Sequence, residues 1–147
     1  MPVFEVRPIP AADTRPLRQA VLRPHQAAHE TVLPGDDAPD TLHVGAFCDG
    51  QLVGVASVLR DTAPGETGMT FWWLRAMAVV PGMQRQGCGA ALLEACIVYA
   101  REHGGKHLWC NARKSALEFY RKFGFETCSE EFELPQIGPH YRMRRSI

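Results

Sequence analysis

The chain has 147 residues, of which 46% are apolar and 22% are charged, and its formal net charge is zero. This length and balance are typical of a globular chain with a buried core, so we predict a single domain over residues 1–147. Zero net charge argues against nucleic acid or an acidic membrane surface as a partner. No segment approaches the ~20 apolar residues that a membrane-spanning helix needs.

The five cysteines are an odd number, and none of them forms a CxxC pair. Several lie in apolar patterns, where a reduced cysteine behaves as a small hydrophobic residue. This usage favours a reducing compartment over a disulfide framework, and we expect no metal site. The N-terminal sequence MPVFEVRPIP has no long apolar run, so we expect no signal peptide and a cytoplasmic protein.

The first third of the chain predicts a strand, a helix and a hairpin. Residues 3–8 alternate weakly, and Asp13 or Thr14 can cap a helix whose apolar face contains Leu17, Ala20 and Val21. Two apolar runs, 42–48 and 52–59, flank an Asp-Gly pair, which is typical of a hairpin.

The rest of the chain predicts a buried strand followed by alternating helices and strands. Residues 70–80 are apolar on both faces except at Arg75, as expected of a central strand. Apolar residues recur at helical spacing in 88–100 and again in 116–123, with a short strand at 107–110 between them. Two last strands are predicted at 125–134 and 140–144. The fold class is therefore α/β, with a mixed central sheet of about six to seven strands flanked by helices.

The sequence QRQGCGA, residues 84–90, places two glycines between the central strand and the first long helix. Backbone N–H groups at a helix start lack partners within the helix, and glycines let the backbone approach a phosphate closely. The loop therefore predicts an anion site, although a tight turn alone would also use these glycines. A P-loop lysine is missing, and Leu92 stands where a dinucleotide fingerprint has its third glycine.

These residues resemble the GNAT superfamily of acyl-CoA-dependent N-acetyltransferases. A strand ending in Met77-Ala78-Val79 precedes the Q/R-x-x-G-x-G/A signature at 84–90, and a second block, Ala116-x-x-Phe119-Tyr120-x-x-x-Gly124-Phe125, follows. The order of elements fits the family over essentially the whole chain. The resemblance implies a sheet splayed by a bulge in the central strand, with acetyl-CoA in the resulting cleft, and it is compatible with a homodimer.

The resemblance also implies which residues bind the cofactor. The backbone of Met77, Ala78 and Val79 would pair with the pantetheine arm, like an added strand. Main-chain amides of the loop would hold the pyrophosphate. The loop residues assigned to cofactor binding are Gln84, Arg85, Gln86, Gly87, Cys88, Gly89 and Ala90.

Two further positions, Asn111 and Arg113, depart from the family pattern. Many members have an asparagine seven residues before the tyrosine, where it bonds the pantetheine, but Arg113 occupies that position here. Asn111, two residues earlier, could take over this contact or could cap the second helix. Arg113 could meet a phosphate of the cofactor.

Acetyl transfer from a thioester to an amine needs a neutral amine, a stabilised oxyanion and a proton for the leaving thiolate. The resemblance assigns the last role to Tyr120, a phenol that stays protonated at neutral pH. Tyr120 also lies on an apolar stripe and could serve in packing. A backbone N–H near Ala78 or Val79 would stabilise the oxyanion, and Cys88 is expected to pack because transfer in this family is direct.

The acceptor side is less defined by sequence. Some relatives that acetylate peptides have a glutamate where this chain has Leu108. We assign acceptor binding to Arg75, Glu131 and His140, and His25 is a further candidate for the base. Arg75 could bind an acceptor carboxylate or phosphate, or it could pair with Glu131 across the sheet.

Two functions follow from these features. The first is transfer of an acetyl group from acetyl-CoA directly to a primary amine of a small molecule, or of a peptide. The alternative is a non-catalytic acyl-CoA-binding or regulatory module. Tyr120 favours the enzyme, because binding alone would not require its hydroxyl.

Overall fold

The computed structural model describes residues 2–147, which form one eight-stranded sheet with helices on its faces. The strands are β1 (Glu5–Pro8), β2 (Leu42–Cys48), β3 (Gln51–Arg60), β4 (Phe71–Val79), β5 (His107–Arg113), β6 (Glu126–Thr127), β7 (Phe132–Leu134) and β8 (Gly138–Ser146). They follow the spatial order β1-β2-β3-β4-β5-β8-β6, and β7 also pairs with β8. The β4–β5 pair is parallel and the other pairs are antiparallel, so the sheet is mixed, as predicted.

Three α-helices and several short helical turns connect the strands. The helices are α1 (Arg15–Leu17), α2 (Cys88–Glu102) and α3 (Leu117–Lys122). A 3-10 turn precedes α1 and a π turn, Arg18–Leu22, follows it. Within residues 2–147, no helix has both the length and the hydropathy needed to cross a membrane.

The main core lies between α2 and one face of the sheet. Cys88, Leu92, Cys96 and Ala100 are all at most 1% exposed, which confirms the helical face read from their four-residue spacing. Trp72 on β4 is fully buried in the same core, whereas Trp73 points to the other face and stacks on Trp109.

The N-terminal helix differs from the prediction. Its buried residues are Thr14 and Arg18 rather than the apolar face that the sequence indicated. Neither expected cap forms, because the Thr14 hydroxyl donates back to the carbonyl of Ala11. This segment places Arg18 against the sheet, where it donates to the hydroxyl of Ser57 on β3.

The C-terminal strands also differ from the prediction. Residues 125–134 do not form one strand but divide into β6 and β7. The ladder to β8 is interrupted where the N–H of Arg142 donates to the hydroxyl of Ser129, at 2.8 Å, instead of to a backbone carbonyl. A side chain that takes the place of a backbone acceptor ends regular pairing there.

Two irregularities open the sheet next to β4. Ala76 and Met77 together oppose Ala56 of β3, since Val55 pairs with Ala78 and Ser57 with Arg75. This is a β-bulge, and Ala76 takes a left-handed φ of 54°.

On its other side, β4 pairs with β5 only from Phe71 to Trp73. Beyond Trp73 and Trp109 the two parallel strands separate, so β4 presents an open edge toward β5. This is the splayed arrangement expected for a cofactor cleft.

Candidate active site

A cavity of about 430 Å³ lies where β4 and β5 separate. Met77 and Asn111 come from the two strands, and Tyr120 reaches the cavity from α3. The remaining walls are formed by the segment after α1 and by the β7–β8 hairpin, which contribute Arg23 and His140. The cavity thus joins five separate parts of the chain at the open edge of the sheet.

The glycine loop leads from the end of β4 into α2. Gly87 precedes the helix with φ 92°, a conformation that side chains with a Cβ rarely adopt. The hydrogen bond from the N–H of Ala91 to the carbonyl of Gly87, at 3.0 Å, closes the first turn of α2. The N–H groups of residues 88–90 come before that bond and have no acceptor within the helix, as an anion site requires.

The two glutamines of the loop have structural roles. The side-chain amide of Gln84 donates to the carbonyl of Val79 at 3.0 Å, and that of Gln86 donates to the carbonyl of Gly82 at 3.1 Å. They tie the loop to the end of β4. Arg85 is exposed beside them with φ 62°, so its guanidinium remains at the surface.

Tyr120 is 9% exposed and lines the cavity. Its ring packs edge-on against Phe119 and Phe125. Burial, together with the nearby thiols of Cys110 and Cys96, raises the pKa of Tyr120. The phenol is therefore held in its protonated form, and the same burial makes it a weaker acid than a solvent-exposed tyrosine.

Cys88 is 1% exposed at the start of α2, against Gly54 of β3. Burial raises the pKa of its thiol to about 11. A thiol is a poor nucleophile when it is not ionised. The packing role expected for Cys88 agrees with these surroundings.

Asn111 and Arg113 both lie on β5 and line the cavity. Asn111 does not cap α3, because that helix begins four residues beyond β5 and its N-terminus has no side-chain cap. Its Oδ1 atom is buried without a hydrogen-bond donor in the described part of the chain. Arg113 donates to the carbonyl of Leu22, which places it at the wall formed by the segment after α1.

Arg75 does not pair with Glu131. It donates instead to a carboxylate oxygen of Asp36, at 3.0 Å, and to the carbonyl of Pro34. Arg18 binds both oxygens of the same carboxylate, at 2.7 and 3.1 Å. The side chains of Arg18, Asp36 and Arg75 are 2%, 1% and 7% exposed, so the three form a buried ionic cluster.

The cluster continues across β3 and β2. Arg18 also donates to the hydroxyl of Ser57, which shares a hydrogen bond of 2.6 Å with Nδ1 of His43. Burial acts to raise the pKa of Asp36. The hydrogen bonds from Arg18 and the N–H of Leu33, together with the Arg18 charge, outweigh this and lower it to about 2. Asp36 therefore stays ionised and holds both guanidinium groups in place.

His140 and Glu131 have different surroundings. His140 is 4% exposed, lines the cavity and donates from Nδ1 to the carbonyl of Gly138 at 2.8 Å. Glu131 is exposed, outside the cavity lining, with an ion pair to Lys114 and a hydrogen bond from Tyr141. His25 is also exposed and outside the lining. Of these three acceptor-side candidates, His140 is the one that the fold brings to the cavity.

Sequence reasoning missed several lining residues. Arg18, Arg23, Asp61 and Trp73 all line the cavity without having been assigned to the acceptor site. Thr14, Arg18 and Leu22 share the four-residue spacing of one helical face, which is the signal that could have indicated a polar inner face. That face was overlooked because an arginine on a helix is usually solvated.

The chain belongs to the GNAT acetyltransferases. The family model described as "Acetyltransferase (GNAT) domain" matches residues 15–146, nearly the whole chain. The protein is therefore an acyltransferase of this family.

Individual relatives agree with this assignment. The chain is 33% identical over 145 residues to the uncharacterized N-acetyltransferase YitI of Bacillus subtilis (strain 168), covering 99% of this chain and 97% of that one. The crystal structure of Escherichia coli ElaA superposes with a TM-score of 0.78 at 19% identity, over 97% of this chain and 99% of that one. An aminoglycoside 6'-N-acetyltransferase complexed with coenzyme A gives 0.69 at 16% identity, over 97% and 96%. At these identities the two solved structures show a shared fold.

Proposed function

We propose that the protein transfers the acetyl group of acetyl-CoA to a primary amine of a small molecule. The observation that carries this proposal is the position of Tyr120 in a cavity that begins where β4 and β5 separate. The glycine loop with its free helix N–H groups starts just beyond the same end of β4. A coenzyme A complex of a protein with this fold supports the choice of cofactor.

The described residues fit acetyl-CoA at two separate points. The N–H groups at the start of α2 suit its pyrophosphate, and Gly87 leaves the space above them open, since a Cβ there would meet no atom within 4 Å. The unpaired edge of β4 from Met77 to Val79 suits the amides of the pantetheine arm. Asn111 offers a carbonyl oxygen that lacks a donor, and Arg85 adds a positive charge at the loop.

Acetyl-CoA supplies an acetyl thioester that is activated toward attack by an amine. Within this chain, the Tyr120 hydroxyl would give its proton to the departing sulfur, since it lines the cavity and a phenol is protonated at neutral pH. A backbone N–H of Ala78 or Val79, beyond the bulge, would donate to the developing oxyanion. Cys88 takes no covalent part.

His140 is our candidate for the group that accepts the amine proton. Because its Nδ1 donates to a carbonyl oxygen, Nε2 of the neutral ring is left as the acceptor nitrogen. Glu131 is less suited, since Lys114 and Tyr141 already hold its carboxylate. A cavity of about 430 Å³ suits a small acceptor. The free thiols of the five cysteines support a reducing, cytoplasmic location.

Isothermal titration with acetyl-CoA, desulfo-CoA and ATP tests the cofactor first. We expect acetyl-CoA and desulfo-CoA to bind with Kd values well below millimolar, and ATP to bind much more weakly. An amine library is then screened for release of free thiol in the presence of acetyl-CoA. Absence of acetyl-CoA binding would overturn the proposal. Tight binding without turnover by any amine would favour a non-catalytic acyl-CoA-binding module.

A further inference from the structure

The acceptor end of the cavity is strongly cationic. Four arginines, Arg18, Arg23, Arg75 and Arg113, line the cavity, and among the described residues Asp61 is the one acidic member of the lining. Asp36 lies directly behind the wall and is already bound by two of the four arginines. Even when Asp36 and Asp61 are both counted, positive charge is in excess at the cavity. The charge of an acceptor must be complementary to this excess.

Arg75 has donors that the protein does not use. Its Nη2 serves Pro34 and Asp36, whereas its Nη1 has no hydrogen-bond acceptor within residues 2–147, although the side chain is only 7% exposed. Burying a guanidinium with an unmatched donor is costly unless another group accepts from it. Arg18 and Arg75 share the carboxylate of Asp36, and its single negative charge cannot neutralise both guanidinium groups.

Arg23 and Arg113 add a second positive region to the same cavity. Arg113 bonds to the carbonyl of Leu22, the residue before Arg23, so the two guanidinium groups are close. Burial and the charge of Arg113 lower the pKa of Arg23. No carboxylate of residues 2–147 forms an ion pair with either group. An anion bound between these arginines would relieve their repulsion.

We propose that the amine acceptor also carries an oxyanion, either a carboxylate or a phosphate, and that Arg75 is the residue that selects for it. This inference rests on the proposed acetyltransferase function and narrows its substrate class. A guanidinium with free donors suits a carboxylate or phosphate because hydrogen bonds from its charged N–H groups to an oxyanion are charge-assisted. A purely cationic amine would find Asp61 as a counter-charge but would be repelled by the excess of arginines.

Matched pairs of amines test the inference. Phenylalanine is compared with phenethylamine, ornithine with putrescine, and O-phosphoethanolamine with ethanolamine, by release of free thiol from acetyl-CoA. In at least one pair we expect kcat/KM to be about ten-fold or more higher for the oxyanion-bearing member, as one or two charged hydrogen bonds give. The pair with the larger ratio identifies the oxyanion as carboxylate or phosphate. Equal rates within all pairs, or faster reaction of the plain amines, would overturn the inference.

Two variants and a control locate the selectivity. Arg75→Gln should remove most of the preference, because it raises KM for the oxyanion-bearing amine and, with one repelling charge gone, lowers KM for the plain amine. Arg142→Gln is the control, since Arg142 lies over the ring of Trp109 on the same sheet face but outside the cavity lining. If Arg75→Gln fails to fold, Arg23→Gln takes its place in the test. Arg23 is half-buried and lines the same cavity, so its loss should also weaken the preference for the oxyanion-bearing amine. Equal losses for both members of a pair would exclude a selective role for these arginines.

A binding measurement separates this inference from the cofactor proposal. N-acetylphenylalanine and N-acetylphenethylamine are titrated into the protein without acetyl-CoA, and O-phospho-N-acetylethanolamine is titrated as the phosphate arm. Tighter binding of an acid, lost in Arg75→Gln, would support the anion site even if acetyl-CoA failed to bind. Tight acetyl-CoA binding with no preference for the acids would instead retain the cofactor site and reject the inference.

Discussion

Gly89 of the loop lies against the ring of Phe119 on α3. A Cβ at position 89 would come within 3.2 Å of Cζ of Phe119, closer than ordinary van der Waals contact. The sulfur of Met77 is 3.6 Å from the same point. The two glycines therefore differ in role: Gly87 supplies a left-handed turn, whereas Gly89 allows α2 to approach the helix that carries Tyr120.

Replacing Gly87 tests the anion site at the loop. Gly87→Val forces a β-branched residue to φ 92° and reorients the N–H groups of the first turn, although no neighbouring atom obstructs the side chain. We expect the Kd for acetyl-CoA to rise by about 100-fold or more while the domain stays folded. Titration calorimetry and circular dichroism would check this.

Gly82→Val is the matched control for that experiment. Gly82 lies in the preceding turn, has open space around it and is not among the glycines with positive φ. It should therefore leave acetyl-CoA affinity unchanged. Unchanged affinity in Gly87→Val as well would mean that the loop is only a turn.

Tyr120→Phe tests the proton donor. The ring contacts with Phe119 and Phe125 are retained, so acetyl-CoA binding should survive while kcat falls roughly ten-fold or more. Tyr99→Phe is the control, because it removes a half-buried hydroxyl that donates to the carbonyl of Asp40 and lies outside the cavity lining. That variant should lose about 1 kcal/mol of stability and no activity. Equal kcat in the Tyr120 variant and the parent would remove this hydroxyl from the mechanism.

The local sequence pattern was sufficient to predict α2 and the glycine loop, which form the proposed cofactor side of the site. The repeated burial of Cys88, Leu92 and Cys96 follows from their spacing in sequence, and the position of the glycine loop follows from the strand before it. The bulge at Ala76 was expected only through the family resemblance, since no residue type there indicates it.

The acceptor side could not be predicted in the same way. Arg18 lies 18 residues from Asp36, and Arg75 lies 39 from it, so their contacts depend on how the sheet and the N-terminal segment pack. No local spacing encodes such pairs. For the same reason, the alternative that Arg75 pairs with Glu131 rested on charge alone, whereas in the structure Glu131 pairs with Lys114 and Arg75 with Asp36.

His140→Ala tests the acceptor wall. We expect the KM for the amine to change more than the KM for acetyl-CoA, because His140 lines the cavity from β8 and is not part of β4 or of the glycine loop. His25→Ala removes an exposed imidazole outside the lining and should change neither constant. The opposite pattern for His140, with the acetyl-CoA constant more affected, would place this ring beside the cofactor.

Asp36→Asn tests whether the buried cluster supports the fold. The substitution leaves Arg18 without its counter-charge, so the free energy of unfolding at pH 7 should fall by about 3 kcal/mol. Because the pKa of Asp36 is about 2 in the folded protein against an ordinary value of 3.8, its ionised form stabilises the fold above pH 4. That contribution disappears as the pH falls from about 4 to about 2, and the stability gap between parent and variant should narrow by about 2 kcal/mol over this range. Urea unfolding at a series of pH values measures the gap, with the exposed neighbour Asp37→Asn as control. A gap that stays constant down to pH 2 would show that Asp36 does not bind these arginines in its ionised form.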